Sequence, residues 1–312
     1  MMRKILAATD MVIKADPAVA SAFKLAIHNK AKLYILHVLE SAYEDERLRI
    51  NDFRTGEDIL SDPHYEDRVV RALYRTYTRM IQFYDNIEIL VTPGLPWGEI
   101  IKKSRETDTD LIILGPHAGR AAQCGVIRVK GKIGSTVEGV IKHQPCPVWI
   151  VNQTISAGMI RLKNVMVAVD FSSSCRYALN FAVNIAGNFA SKLFIFHMHG
   201  VPPSPRYSQD GYDRDVRSLS RRLKEFSDEM PASIDREYCV RGGSHPHLEI
   251  SQYAQKKRVD LIVMGSHTRD ENKKWYIGSA VEKVSYRAPC PVAVITAPEC
   301  LSKIEGPRPG VI

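Results

Sequence analysis

The chain has 312 residues, enough for two domains of ordinary size that each bury a core. Apolar residues at 45% and charged residues at 25% are ordinary globular values and argue against a disordered or fibrous chain. The net charge of +8 divides into +2 for residues 1–155 and +6 for residues 156–312; the excess is dispersed and not interleaved with aromatic residues, which disfavours nucleic acid as a partner.

Met1-Met2-Arg3-Lys4 is basic but runs straight into a strand-like segment ending at Asp10, with no apolar leader and no run of bilayer length, so a soluble, cytoplasmic protein without membrane contact is expected. Strands are predicted near 4–9, 32–38, 86–91, 110–115 and 147–152. Between them Ala18, Ala22, Leu25 and Ala26 recur at helical spacing, and 66–83 reads as a longer amphipathic helix. A short linker with Ser156, Ala157 and Gly158 spans 153–163. The second half repeats the pattern, with strands near 164–169, 192–198, 234–240, 260–265 and 291–296. Its helical stretches hold Ala178, Phe181, Ala182, Ile185 and Ala186, and then 213–229. An irregular tail with Pro307, Pro309 and Gly310 follows at 298–312.

The repetition is literal. Lys4 to Asp10 returns as Asn164 to Asp170, Ala31 to Val38 as Ser191 to Met198, and Asp110 to His117 as Asp260 to His267. Gly134-Ser135 and Pro145-Cys146-Pro147-Val148 return as Gly278-Ser279 and Pro289-Cys290-Pro291-Val292. The period far exceeds that of a solenoid, so each copy is a domain, 1–152 and 164–297. Alternating strands and helices, with unalternating apolar runs such as Leu111 to Leu114 and Leu261 to Met264, imply an α/β fold: two tandem open, doubly wound five-stranded parallel sheets of order 3-2-1-4-5, related by a pseudo-two-fold.

In such a sheet ligands bind beyond the C-terminal strand ends where strand order reverses, here at Asp10 and Gly115 and at Asp170 and Gly265. In the second half Gly265-Ser266-His267-Thr268 leaves the fourth strand, a loop with Arg269, Lys273 and Lys274 follows, and Gly278-Ser279 opens a helix whose N–H groups suit a phosphate. These residues resemble the nucleotide signature of universal stress proteins, Gly-x2-Gly-x9-Gly-Ser/Thr, with Thr268 in place of the second glycine. In the first half Gly115 and Gly134-Ser135 are present, but Ala118 replaces that glycine and the intervening loop is six residues longer. The whole chain resembles a tandem universal stress protein.

That resemblance implies an adenine nucleotide, ATP first, with magnesium as its natural companion. Asp170 and Asp10 would lie near the adenosine, and Met198 and Val38 would flank the base. The expected role is a regulatory module of the stress response that works through protein partners. The alternative is an interaction scaffold with degenerate sites. Slow hydrolysis is compatible with the residues, although no positioned base is evident and no catalytic residue is assigned. The last strands, Val148 to Val151 and Val292 to Ile295, read as apolar edges that invite pairing, within the chain and into a homodimer.

Other chemistries fit less well. Gly131 to Thr136 lacks the phosphate-loop frame because Ile133 stands where a hydroxyl is needed. Neither first strand is followed by G-x-G-x-x-G, so a dehydrogenase fingerprint is missing. Six cysteines without C-x-x-C spacing argue against a disulfide framework and against zinc. His37, His197, His199, His245 and His247 lie near strand ends but show no convergent spacing, and Cys175 reads as a packing residue.

Overall fold

A computed structural model describes residues 2–11, 16–44, 47–52, 57–60, 64–116, 133–152, 162–201, 207–266 and 277–296. His267 and Thr268, the cation-bearing loops, most of the expected linker and the tail lie outside the described residues. The chain divides into two compact units, Met1–Ile160 and Arg161–Ile312.

In the first unit the parallel strands are β1 (Lys4–Ala8), β2 (Lys32–Glu44), β5 (Ile87–Gly94), β6 (Leu111–Leu114) and β7 (Val148–Ile150), side by side as β5-β2-β1-β6-β7. Helices α1 (Pro17–Asn29), α2 (Tyr65–Phe83), α3 (Pro96–Glu106) and α4 (Ser135–His143) connect them. In the second unit β8 (Asn164–Ala168), β9 (Lys192–Gly200), β10 (Arg236–Gly243), β11 (Leu261–Gly265) and β12 (Val292–Ile295) pair as β10-β9-β8-β11-β12, again all parallel. Its helices are α5 (Ser173–Phe189), α6 (Gln209–Phe226), α7 (Pro246–Lys257) and α8 (Ser279–Arg287). β6 and β11 are buried along their whole length, as strands covered on both faces must be.

Local chemistry fixes where these elements begin and end. Asp16 accepts from the N–H groups of Ala18 and Val19 and Pro17 opens α1, while Lys30 closes it with φ of 53° in the left-handed region. Ser172 caps α5 in the same way through the N–H of Cys175. Each sheet carries one duplicated staple. A carboxylate oxygen of Asp110 accepts from the backbone N–H groups of Arg3 (2.6 Å) and Lys4 (2.9 Å), and Asp260 does so from Lys163 and Asn164 (both 2.9 Å). These two aspartates pin the start of the first strand to the start of the fourth, and so set the register at the sheet centre.

The first unit departs from the expected plain five-stranded sheet. β2 runs six residues past the expected end at 38, and the chain folds back antiparallel through β3 (Arg47–Asn51) and β4 (Asp58–Leu60). The run Arg47-Leu48-Arg49-Ile50-Asn51 alternates with the period of a strand, Ile50 being buried and Arg49 exposed. α3 and α7 occupy stretches for which the sequence suggested no element.

Candidate ligand site at the strand ends

In the second unit β8 ends at Ala168, and Phe171 then takes φ of 66°, a left-handed conformation costly for an aromatic residue. Met11 takes φ of 60° at the equivalent point of the first unit. The turn is held in three ways. The Asp170 carboxylate accepts from the N–H of Ser172 (2.9 Å), the N–H of Asp170 donates to the sulfur of Cys175 (3.4 Å), and the ring of Phe171 lies 4.5 Å from that of His197. Burial holds His197 below its ordinary value, so its ring is neutral near pH ~7. Nδ1 lies 2.8 Å from the carbonyl oxygen of Val169; a carbonyl only accepts, so Nδ1 carries the proton. His37 repeats this contact with the carbonyl of Thr9, also at 2.8 Å. Both histidines therefore brace the loop after the first strand.

Cys175 is buried, and burial pushes its thiol up to about 12, so it is a protonated packing group and not a nucleophile. Among the described residues no three His, Cys, Asp or Glu side chains gather as a metal site.

Gly265 closes β11 and is buried. A β-carbon there would meet the backbone of α5 at Ser174 (2.5 Å) and Cys175 (2.6 Å). The glycine is thus required by the approach of helix to strand. Through Cys175 the structure ties Gly265 to Asp170. Ser266 is 1% exposed, its N–H donates to the carbonyl of Ile295 (2.9 Å), and its hydroxyl has no hydrogen-bond partner among the described residues. A buried unpaired hydroxyl is costly and calls for a partner.

Gly278 precedes α8, with no described atom within 4 Å of an added β-carbon. Among the described residues no side chain caps the first turn of α8, and Ser279 is exposed there. That helix start offers free N–H donors, a hydroxyl and open space, which together fit an anion. Gly134 and Ser135 open α4 in the same uncapped manner.

The expected base-flanking residues, Val38 in β2 and Met198 in β9, are both half-buried, but their surroundings differ. Leu39 follows Val38 and is 3% exposed, Tyr77 of α2 is 5% exposed, and its hydroxyl donates to Thr9 (3.2 Å). Asp10 is half-buried while Asp170 is exposed, and Gly115 is half-buried after β6. The strand ends of the first unit are the more tightly filled.

Several residues at the second site carried no sequence signal. Arg222 of α6 lies over the ring of Phe171 at 4.1 Å. His199 Nε2 lies 2.7 Å from the hydroxyl of Tyr207, which donates to Asp215 (2.6 Å). Period-two alternation places His197 and His199 on one face of β9, and only that much was legible.

The family model of the universal stress protein family matches residues 1–152 and again 161–296. A universal stress protein of Methanocaldococcus jannaschii is 26% identical over 159 residues, 48% of this chain and 92% of that protein. Another from Bacillus subtilis is 28% identical over 144 residues, 42% of this chain and 97% of its own length. The crystal structure of a universal stress protein from Archaeoglobus fulgidus superposes with a TM-score of 0.63 at 20% identity, covering 94% of this chain and 98% of that one. At that identity the likeness speaks for the fold alone.

Proposed function

The chain belongs to the universal stress protein family through both of its halves, and on that premise we propose that its second unit binds an adenine nucleotide, ATP first, as a regulatory module. The phosphates would lie on the uncapped start of α8 at Gly278 and Ser279, magnesium accompanying them, with Asp170 toward the ribose and Met198 beside the base. His267 and Thr268 would contribute from the intervening segment. One observation carries the reading: the start of α8 has open space and free donors, while the hydroxyl of Ser266 stands buried without a partner among the described residues. In the first unit Asp10, Val38, Gly115, Gly134 and Ser135 form the counterpart, but Leu39 and Tyr77 are buried there and Tyr77 is bonded to Thr9, so one nucleotide per chain is expected.

Titration calorimetry with ATP tests this. The intact protein should take up one equivalent, and Gly278→Asp, which sets a carboxylate against the phosphates, should weaken binding by at least about tenfold. Absence of measurable heat with the intact protein would end the proposal. A second reading, an interaction module without nucleotide, draws on Gly265: packing against α5 accounts for that glycine without any ligand. Among the described residues Gly278 has no such packing explanation, which favours the first reading.

A further inference from the structure

We propose that the groove along α3 and α4 of the first unit is a binding site for a small planar aromatic carboxylate, separate from the strand-end site. Trp97, the second residue of α3, is half-buried and lies against Gly139 of α4, where a β-carbon would come within 2.4 Å of the indole Cγ. The absent side chain is what lets the indole rest on that helix. Its other neighbour is the imidazole of His143, stacked at 4.7 Å and 17°. His143 Nδ1 lies 3.0 Å from the carbonyl of Gly139, which orients the ring and leaves Nε2 as its acceptor when neutral. Beside this pair opens a cavity of about 340 Å³, floored by Gly98 and Ile101 and rimmed by Lys102 and Arg105. That suits a ligand of one or two fused rings.

The rim selects the charge. Arg105 is exposed and has no acidic partner among the described residues. Lys102 is only loosely paired, 3.7 Å from Glu99. Glu106 also borders the cavity, but Lys103 holds its carboxylate at 2.8 Å and draws its pKa below the ordinary carboxylate range. Two cations are therefore available beside an aromatic wall, the arrangement that recognises a ring carrying an acid group.

The second unit supplies an internal control. Its equivalent helices α7 and α8 also pack together, yet His247, Lys283 and Arg287 stand where the first unit has Trp97, Gly139 and His143. The fold forms without the indole, the glycine or the stack. Helix packing alone does not demand them.

Ligand-observed NMR and calorimetry on the full chain with naphthoate as probe decide the matter. Naphthoate should bind with a stoichiometry of one, and naphthyl methanol, which lacks the charge, at least about tenfold more weakly. Arg105→Gln, an exposed change that leaves the fold intact, and Trp97→Leu should each weaken naphthoate by about tenfold or more, while saturating ATP and Gly278→Asp should leave it unchanged. No binding at millimolar probe, binding indifferent to Arg105→Gln, or displacement by ATP would each overturn the proposal.

Discussion

At the scale of single residues, two half-buried titratable groups pull stability in opposite directions with pH. Asp16 caps α1, and its burial raises the carboxyl above 3.8, against the lowering effect of the cap and of Thr9. A raised acid binds its proton more tightly in the folded state, so its contribution is present at low pH and declines as pH rises through the folded value. His197 is the reverse. Its folded value lies below 6.5, so its contribution is intact above that pH and is lost as pH falls toward the folded value. Asparagine retains a capping oxygen without the buried charge. Asp16→Asn should therefore leave urea stability at neutral pH unchanged or raised, whereas Asp16→Ala should cost about 1 kcal/mol. His197→Asn places an amide donor near the position of Nδ1 and removes the titration. Urea midpoints followed from about pH 7 to about pH 5 should fall less steeply for this variant than for the intact protein. A parallel slope in both would show that His197 does not carry the acid sensitivity assigned to it.

At the scale of elements, Gly265 and Gly278 look alike in the sequence and differ in the structure. Gly265 faces the backbone of α5 at 2.5 Å, and backbone cannot swing aside as a side chain can. Gly265→Ala should thus cost about 2–3 kcal/mol through overpacking, read as a lower urea midpoint at constant slope. Gly278→Ala meets open space and should cost less than about 1 kcal/mol. If the two substitutions cost the same, the packing role of Gly265 is wrong. This pair also shows what a sequence can convey. Strands such as β6 and β11 were legible because burial on both faces leaves an unbroken apolar run, and α2 and α6 because a solvated face imposes a clear period. α3 and α7 were missed although Pro96 and Pro246 open them and Glu99 and Glu249 follow three residues later, a duplicated block in its own right. In α7 the apolar period is weak, whereas α3 has a clear one over a run of only three turns. The site glycines were found, but a glycine spared for a helix and one spared for a ligand leave the same letter. The contact of Phe171 with His197 joins two elements through space, and no local pattern announces it.

At the scale of the whole molecule, duplication need not duplicate function. Each unit has its own buried sheet centre and its own aspartate staple, so residues 1–160 and 161–312 should each fold when produced separately, with dispersed amide NMR spectra. Ligand linkage then reports on each unit in isolation. A nucleotide at 100 times its dissociation constant stabilises its host by about 2.7 kcal/mol, which for a unit of this size raises the melting temperature by roughly 5–10 °C. ATP should produce that shift in residues 161–312, where Asp170 is exposed and the start of α8 is open. In residues 1–160 Leu39 and Tyr77 are buried, with the Tyr77 hydroxyl bonded to Thr9 just past β1, and the shift should be under about 1 °C. Equal shifts in both units would mean that the tight packing of the first yields to ligand. Restoring the capacity by Leu39→Ala would then be pointless, whereas under the asymmetric reading that substitution opens space in the first unit and lowers its intrinsic stability by about 2–4 kcal/mol.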